Sequence, residues 1–353
     1  MKKLVSLLMA LCMMVSLAAC GGQEQTTDEG GAESDNGGYK IAFSNSYVGN
    51  AWRTAAVNIF DAYTADLVEQ GVLSKAYSSS AGDDVQAQIN EIRNMMSEGY
   101  DAIVCIAASA TGLQSVLEKA EERGIVVVCF DTTVDSDLVY NVNTDQFEYG
   151  RLLAQSLADR MGGEGNILWI KGIEGNRVTL DRTEGMQSVL DNYPGIKVLG
   201  DGYGKWDDST TASVMSNLMS AYASQGIDGI LSEGGGGHAI VQSLVENGID
   251  PATVPISEGE MFNSFMKDWV EMDLDAFCTA QPPYLAAAAV DVALKVLNGE
   301  EVEPMTYVDL PTCSSKEEAE EKWYQPDQEG GFVCDWTDNN NTWNLTIEDV
   351  APN

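Results

Sequence analysis

At 353 residues, 44% of them hydrophobic and 21% charged, the chain has a globular composition and the length for two ordinary domains. Against 19 Lys and Arg stand 55 Asp and Glu, a formal charge of −36 that repels phosphate backbones and excludes nucleic acid as a partner. The only histidine, His238, rules out a His-rich metal site, and any Ser–His or Cys–His catalyst would have to be built on it. It follows a glycine run at a predicted helix start, where a surface or capping role is the ordinary expectation.

The chain opens "MKKLVSLLMALCMMVSLAAC", two lysines followed by an apolar run too short and too poorly flanked for a stable membrane span. The ending "LAAC" resembles the lipobox of bacterial lipoproteins. That resemblance makes residues 1–20 a signal peptide, Cys20 the site of lipidation, and the attached acyl chains a membrane anchor. Residues 21–38, "GGQEQTTDEGGAESDNGG", carry nothing apolar larger than alanine and cannot order themselves. They are expected to form a flexible tether with a mean reach on the order of 25 Å.

From residue 39 short apolar runs alternate with amphipathic stretches of helix length. "KIAFSN", "SKAYSSS", "DAIVCIAA", "IVVVCFD" and "LVYNVN" read as strands, with helices near 51–70, 83–98 and 111–123. In the second of these helices Val85, Ile89, Ile92 and Met96 recur at three- and four-residue spacings. The pattern then begins again. "NILWIKG", "KVLGDGYG", "DGILSEG", "TVPISEG" and "DAFCTAQ" are strand-like, with helices near 146–161, 177–192, 208–224, 237–247, 260–269 and 284–298. Nearly all-apolar strands with helices between them predict an α/β protein of two doubly wound, parallel-sheet (Rossmann-like) lobes.

Residues 311–353 differ, being polar, acidic and marked by Trp323, Trp336 and Trp343; a surface-packed extension is expected. Cys105, Cys129 and Cys278 lie in apolar runs and read as buried thiols. Cys313 and Cys334 sit in polar sequence on an exported chain, where a disulfide between them is permitted but not required.

In a doubly wound lobe ligands bind beyond the C-terminal ends of the strands. The residues predicted at those ends are Asn50, Trp52 and Arg53 after the first strand, then Asp131 and Asn143. The second unit adds Arg182, Trp206, Glu233, Glu258 and Gln281. A sugar ring offers C–H faces that pack on indoles and an equator of hydroxyls that both donate and accept, satisfied by carboxylates, amides and guanidinium groups. Trp52, at helical spacing from Ala55 and Ala56, suits a core role equally well. "EGGGGH" lacks the Lys-Ser/Thr of a phosphate loop, and the chain has no G-x-G-x-x-G after its first strand and no G-x-S-x-G elbow. No catalytic residue, metal or cofactor is expected.

The same residues carry a family resemblance over roughly 39–310. "IAFSNSYVGNAWRTAA", "VVVCFDTT", "IKGIEGNRVTLDRTEGM", "GYGKWDDS" and "CTAQPPYLAAAAVDVALKVLNGEEV" resemble, in order, segments of the periplasmic sugar-binding proteins of ABC importers, type I fold, ribose-binding branch. "NAWR" is similar to the galactofuranose-binding type. The resemblance implies sugar-contact roles for Asp131, Arg182, Trp206 and Gln281, with Glu258 where the family has aspartate. The family's asparagine–aspartate pair is replaced by glycines 234–237, which leaves that role to Glu233 or to no residue. It also implies three crossings between lobes, near residues 143, 258 and 281, and closure by hinge motion. The N-terminal lobe would comprise 39–143 and 282–310, the C-terminal lobe 144–281 and 311–353. The implied protein is a monomer that captures a monosaccharide or related polyol and presents it to ABC permease subunits. A sensory lipoprotein for a sugar-like signal, or a binder of a non-sugar solute, is the alternative; an enzyme on this scaffold is disfavoured.

Overall fold

The computed structural model describes residues 37–351; the expected signal peptide, Cys20 and nearly all of the expected tether lie outside the described residues. The first lobe contains β1 (Tyr39–Asn45), α1 (Ala51–Glu69), β2 (Leu73–Ser80), α2 (Val85–Glu98), β3 (Ala102–Cys105), α3 (Ala110–Glu121), β4 (Val126–Phe130) and β5 (Tyr140–Asn143). The second is built from α4 (Gln146–Arg160), β6 (Glu164–Lys171), α5 (Arg177–Leu190), β7 (Gly195–Tyr203), α6 (Asp208–Tyr222), β8 (Gly229–Ser232), α7 (Gly237–Glu246), β9 (Ile256–Gly259), α8 (Asn263–Met272) and β10 (Ala276–Thr279). Three further elements follow: α9 (Leu285–Leu297), β11 (Met305–Tyr307) and β12 (Thr312–Cys313).

The strands form two six-stranded sheets, ordered β2-β1-β3-β4-β5-β11 and β7-β6-β8-β9-β10-β12. Pairing is parallel except between β10 and β12. Every residue of β3, β4, β8, β9 and β10 is buried, as strands covered on both faces require. Each sheet has the doubly wound order whose switch point falls beside its first strand, between β1 and β3 and between β6 and β8. Most βα loops end in a side chain that accepts from the first helical turn: Asn50, Asp84, Ser109, Asp145, Asn176 and Asp207 cap α1 to α6. These caps fix where each loop stops, and so where its side chains point.

The chain passes from one sheet to the other after β5, after β10 and between β11 and β12. The crossing expected near 258 is therefore not there. β9 stays inside the second sheet beside β8 and β10, and the third crossing is instead at 307–312. The first two crossings exchange helices: α4 packs against β8, β9 and β10, whereas α9 packs against β3, β4 and β5.

The C-terminal extension belongs to both lobes. Phe332, Val333 and Cys334 are buried, and Cys334 N–H donates to Met261 O at 2.9 Å next to β9. Farther on, Trp343 Nε1 donates to Asp291 Oδ2 of α9 at 2.8 Å, and Asn58 Nδ2 of α1 donates to Val350 O at 3.2 Å. The bridge between Phe262 and Val333 also delays α8, which starts at Asn263 rather than near 260. Cys313 and Cys334 are not bonded to each other: Cys313 Sγ donates to Ser315 O and Cys334 Sγ to Asn263 Oδ1, each at 3.5 Å. Cys105, Cys129 and Cys278 are buried free thiols. Among the described residues no helix is long and apolar enough to cross a membrane.

Candidate ligand cleft between the lobes

The C-terminal strand ends of both sheets face one cavity of about 410 Å³. Of the ten residues expected there, seven line it: Asn50, Trp52, Arg53, Asp131, Arg182, Trp206 and Gln281. The first lobe contributes a charged cluster. Arg53 Nη2 donates to Asp131 Oδ2 at 2.8 Å, and its Nη1 reaches Asn45 Oδ1 at 3.2 Å and Ser46 Oγ at 3.0 Å. Asp131 Oδ1 accepts from Gln281 Nε2 at 2.6 Å, which ties the end of β4 to the second crossing. Trp52 is 8% exposed and its Nε1 donates to Gln281 O at 2.6 Å, so it serves core, crossing and cavity wall at once.

Arg182 organises the second lobe. Buried at 2% exposure, its guanidinium donates to Gln146 Oε1 at 2.8 Å and to Glu233 O at 2.9 Å. It also reaches Glu260 Oε1 at 3.3 Å and Gln281 Oε1 at 3.4 Å, and lies 3.6 Å from the Tyr149 ring centroid. A buried ion pair of this kind contributes little net stability when intact, but removal of one partner strands the other's charge. Gln146 also bonds Asn143 Oδ1 at 3.0 Å, Thr144 Oγ1 at 2.9 Å and Gln281 Oε1, and so stitches the first two crossings together.

Three expected site residues lie off this cavity. Asn143 is spent on the crossing, where its Nδ2 donates to Asp131 O at 2.9 Å and its Oδ1 accepts from Thr144 N at 2.9 Å. Glu233 is fully buried behind the wall, accepting from Gly172 N and Thr183 Oγ1, both at 2.9 Å. Burial pushes its carboxyl up to about 7, against the pull of Arg182, Thr183 and the Gly172 amide. Glu258 faces an adjoining compartment instead. In its place on the cavity wall stands Glu260, two residues later; burial raises its pKa while Arg182 holds it down.

Five non-glycine residues on the wall adopt positive φ: Asp83 at 62°, Asp131 at 60°, Lys205 at 58°, Trp206 at 55° and Glu260 at 69°. Each such conformation costs on the order of 1 kcal/mol, and strain gathered around one cavity is the mark of a functional site. The Trp206 turn explains the glycine run. Gly235 has φ +77°, and a Cβ there would stand 2.5 Å from the Trp206 carbonyl carbon. The glycines therefore let the two loops meet backbone to backbone. Trp206 in turn presents a buried Nε1 that has no hydrogen-bond partner.

Tyr47, Asp83, Asn176, Lys205 and Phe262 are among the other residues of the wall. Asn176 could be read as a helix cap from "GNRV", but nothing in the local pattern separates a cap on the cavity from one on the surface. Among the described residues no group of three or more His, Cys, Asp or Glu is arranged to hold a metal ion. His238 binds Asp268 through Nδ1 at 2.6 Å.

Residues 41–301 match a family described as a periplasmic binding protein domain. Over 172 residues the chain is 31% identical to a xylitol-binding protein of Mycolicibacterium smegmatis, covering 48% of this chain and 49% of that protein. The chain thus spans about half the length of these curated relatives. Its fold is similar to that of an ABC transporter solute-binding protein from Thermobispora bispora, with a TM-score of 0.75, 20% identity and coverage of 88% and 95% of the two chains. It is also similar to the binding component of an arabinose ABC transporter from a Shewanella species, solved with L-arabinofuranose, at a TM-score of 0.70 and 24% identity over 80% and 93%.

Proposed function

Because the chain belongs to the periplasmic binding protein family, we propose that it is an exported solute-binding lipoprotein that captures a monosaccharide or related polyol between its lobes and delivers it to an ABC permease. The reading is carried by one observation: a cavity walled by strand ends of both sheets, which brings the Trp206 indole together with the Arg53–Asp131 and Arg182–Glu260 pairs. Indole and phenyl faces from Trp52, Trp206 and Phe262 suit the C–H side of a sugar ring, and the ion pairs suit its hydroxyls. The resemblance of this chain to xylitol- and arabinose-binding proteins points the same way.

The site binds without doing chemistry. Arg53 is engaged with Asp131 and Arg182 with Glu260, and the single histidine is turned to Asp268 rather than to a nucleophile. A ligand that touches Arg53 and Asp131 in one lobe and Trp206 in the other favours the closed arrangement, because only contacts that differ between open and closed states shift the balance. The lipid on Cys20 and the tether would hold the protein at the outer face of the membrane, within reach of the permease.

Thermal-shift screening against pentoses, hexoses and polyols tests this. A true ligand at a hundred times its Kd should add about 2.7 kcal/mol of stability, and Trp206→Ala should remove that gain. Stabilisation by amino acids or nucleosides alone, or a gain that survives Trp206→Ala, would refute the reading.

A further inference from the structure

A second compartment of about 460 Å³ adjoins the first and shares Asn50, Trp206, Glu260 and Phe262 with it. Its wall carries the carboxylates of Asp207, Asp208, Glu258 and Glu260, and the only basic side chain on it is His238, already engaged with Asp268. Two of these acids are committed: Asp207 Oδ1 accepts from Thr210 N at 2.7 Å, and Asp208 Oδ1 from Ala239 N at 2.9 Å. Glu258 and Glu260 are not fully used. Glu258, 1% exposed, accepts from Gly236 N at 3.1 Å through Oε1, while its Oε2 is buried without a partner. Ser232 lies beside this carboxyl and eases its ionisation, but makes no hydrogen bond of good geometry to it. Glu260, 8% exposed, likewise has a buried, unpartnered Oε2.

Leaving a buried carboxyl oxygen unpaired is costly; Arg182 already answers the charge of Glu260, so the group without a counter-charge is Glu258, which a cationic donor would let ionise and a hydroxyl would not. We propose that the natural ligand is an amino sugar or aminopolyol whose protonated amino group occupies this compartment, donating to the unpartnered oxygens of Glu258 and Glu260. This rests on the reading of the neighbouring cavity as a carbohydrate site, and assigns the adjoining space to the substituent that tells an amine from a neutral sugar.

The neighbours of Glu258 make the step measurable. Burial pushes its carboxyl up to about 8, the charges of Asp208 and Glu260 add to that, and Ser232 and the Gly236 amide oppose it. Tyr149 of α4 and Cys278 of β10, also coupled to it, bring no positive charge. In the empty site at pH 7 the Glu258 carboxyl therefore holds its proton. An arriving ammonium stabilises the carboxylate, so the proton leaves to solvent as the ion pair forms.

Isothermal titration of the full chain at pH 7, in buffers of different ionisation enthalpy, tests this with matched pairs: glucosamine and glucose, galactosamine and galactose, glucamine and sorbitol. The amine of at least one pair should bind roughly tenfold or more tighter than its neutral partner, as a charge-assisted hydrogen bond requires, with release of about one proton. Glu258→Gln should abolish both the preference and the proton release; should that variant fold poorly, the wild-type comparison stands alone. Neutral members binding as tightly as amines, or proton release that persists in Glu258→Gln, would overturn the proposal and leave the carbohydrate reading intact. Binding of putrescine but of no sugar would keep the ammonium compartment and sink the carbohydrate reading. No binding in any arm would sink both.

Discussion

Glu233 should make the ligand-free protein less stable as pH rises, and its replacement by glutamine should remove that loss. The side chain is fully buried, its two oxygens accept from Gly172 N and Thr183 Oγ1, and burial raises its pKa from 4.5 to about 7. A raised carboxyl pKa means that the folded state keeps a proton which the unfolded chain gives up. The stability tied to this group is therefore full below the unfolded value of 4.5 and is lost as pH climbs through about 7. A shift of this size corresponds to about 3 kcal/mol, of which about 2–3 falls between pH 5 and pH 8. In Glu233→Gln the amide oxygen can accept from Gly172 and the amide N–H₂ can donate to Thr183, so the packing is preserved while the titration is deleted. Glu258, present in both proteins, cancels in the comparison. Urea unfolding followed by tryptophan fluorescence at pH 5 and pH 8 should show the wild type losing about 2–3 kcal/mol more than the variant. Parallel pH profiles for the two proteins would refute the assignment of a protonated, buried Glu233.

Gly235→Ala should cost about 1–3 kcal/mol and weaken ligand binding, because the new methyl meets the Trp206 backbone at a φ of +77°. Unchanged melting and affinity would show that the two loops do not rely on that approach. Cys313 and Cys334, being free thiols, should both be alkylated after denaturation without reductant; a peptide map that shows them linked would contradict the separate hydrogen bonds seen for each.

Much of this architecture could be read in advance because strands buried on both faces leave a plain mark. "AIVC" and "VVVCF" admit no other parallel-sheet reading, and a capping residue closes most of the loops that follow. The site was legible where a residue stands just beyond the end of such a strand, as Asp131 and Gln281 do, or in the first turn of the helix after it, as Trp52 and Arg53 do. It was not legible where the backbone turns unusually. Glu258 and Glu260 stand two apart in "SEGE", and only the left-handed φ of Glu260, set by packing against Gly234, decides which carboxylate faces the first cavity. The hinge was misplaced for a related reason: β11 and β12 are three and two residues long, below the length at which apolar alternation can be recognised. Gln146 left no signal at all, since its importance comes from partners far away at Arg182 and Gln281.

The C-terminal extension is moored to one lobe at Cys334 and to the other at Trp343. The chain between those moorings is folded into turns, with Asn341 N donating to Asp338 O at 3.0 Å and Asn344 N to Asn341 O at 3.0 Å. Drawn taut, nine residues reach about 30 Å, so the loop stores slack as a coiled leash does. Any gaping of the cleft has to be paid out from that slack. The amplitude of opening is thus limited by a segment that contributes nothing to the ligand cavity itself, and a shorter loop would leave a protein that binds in the same place but yawns less widely.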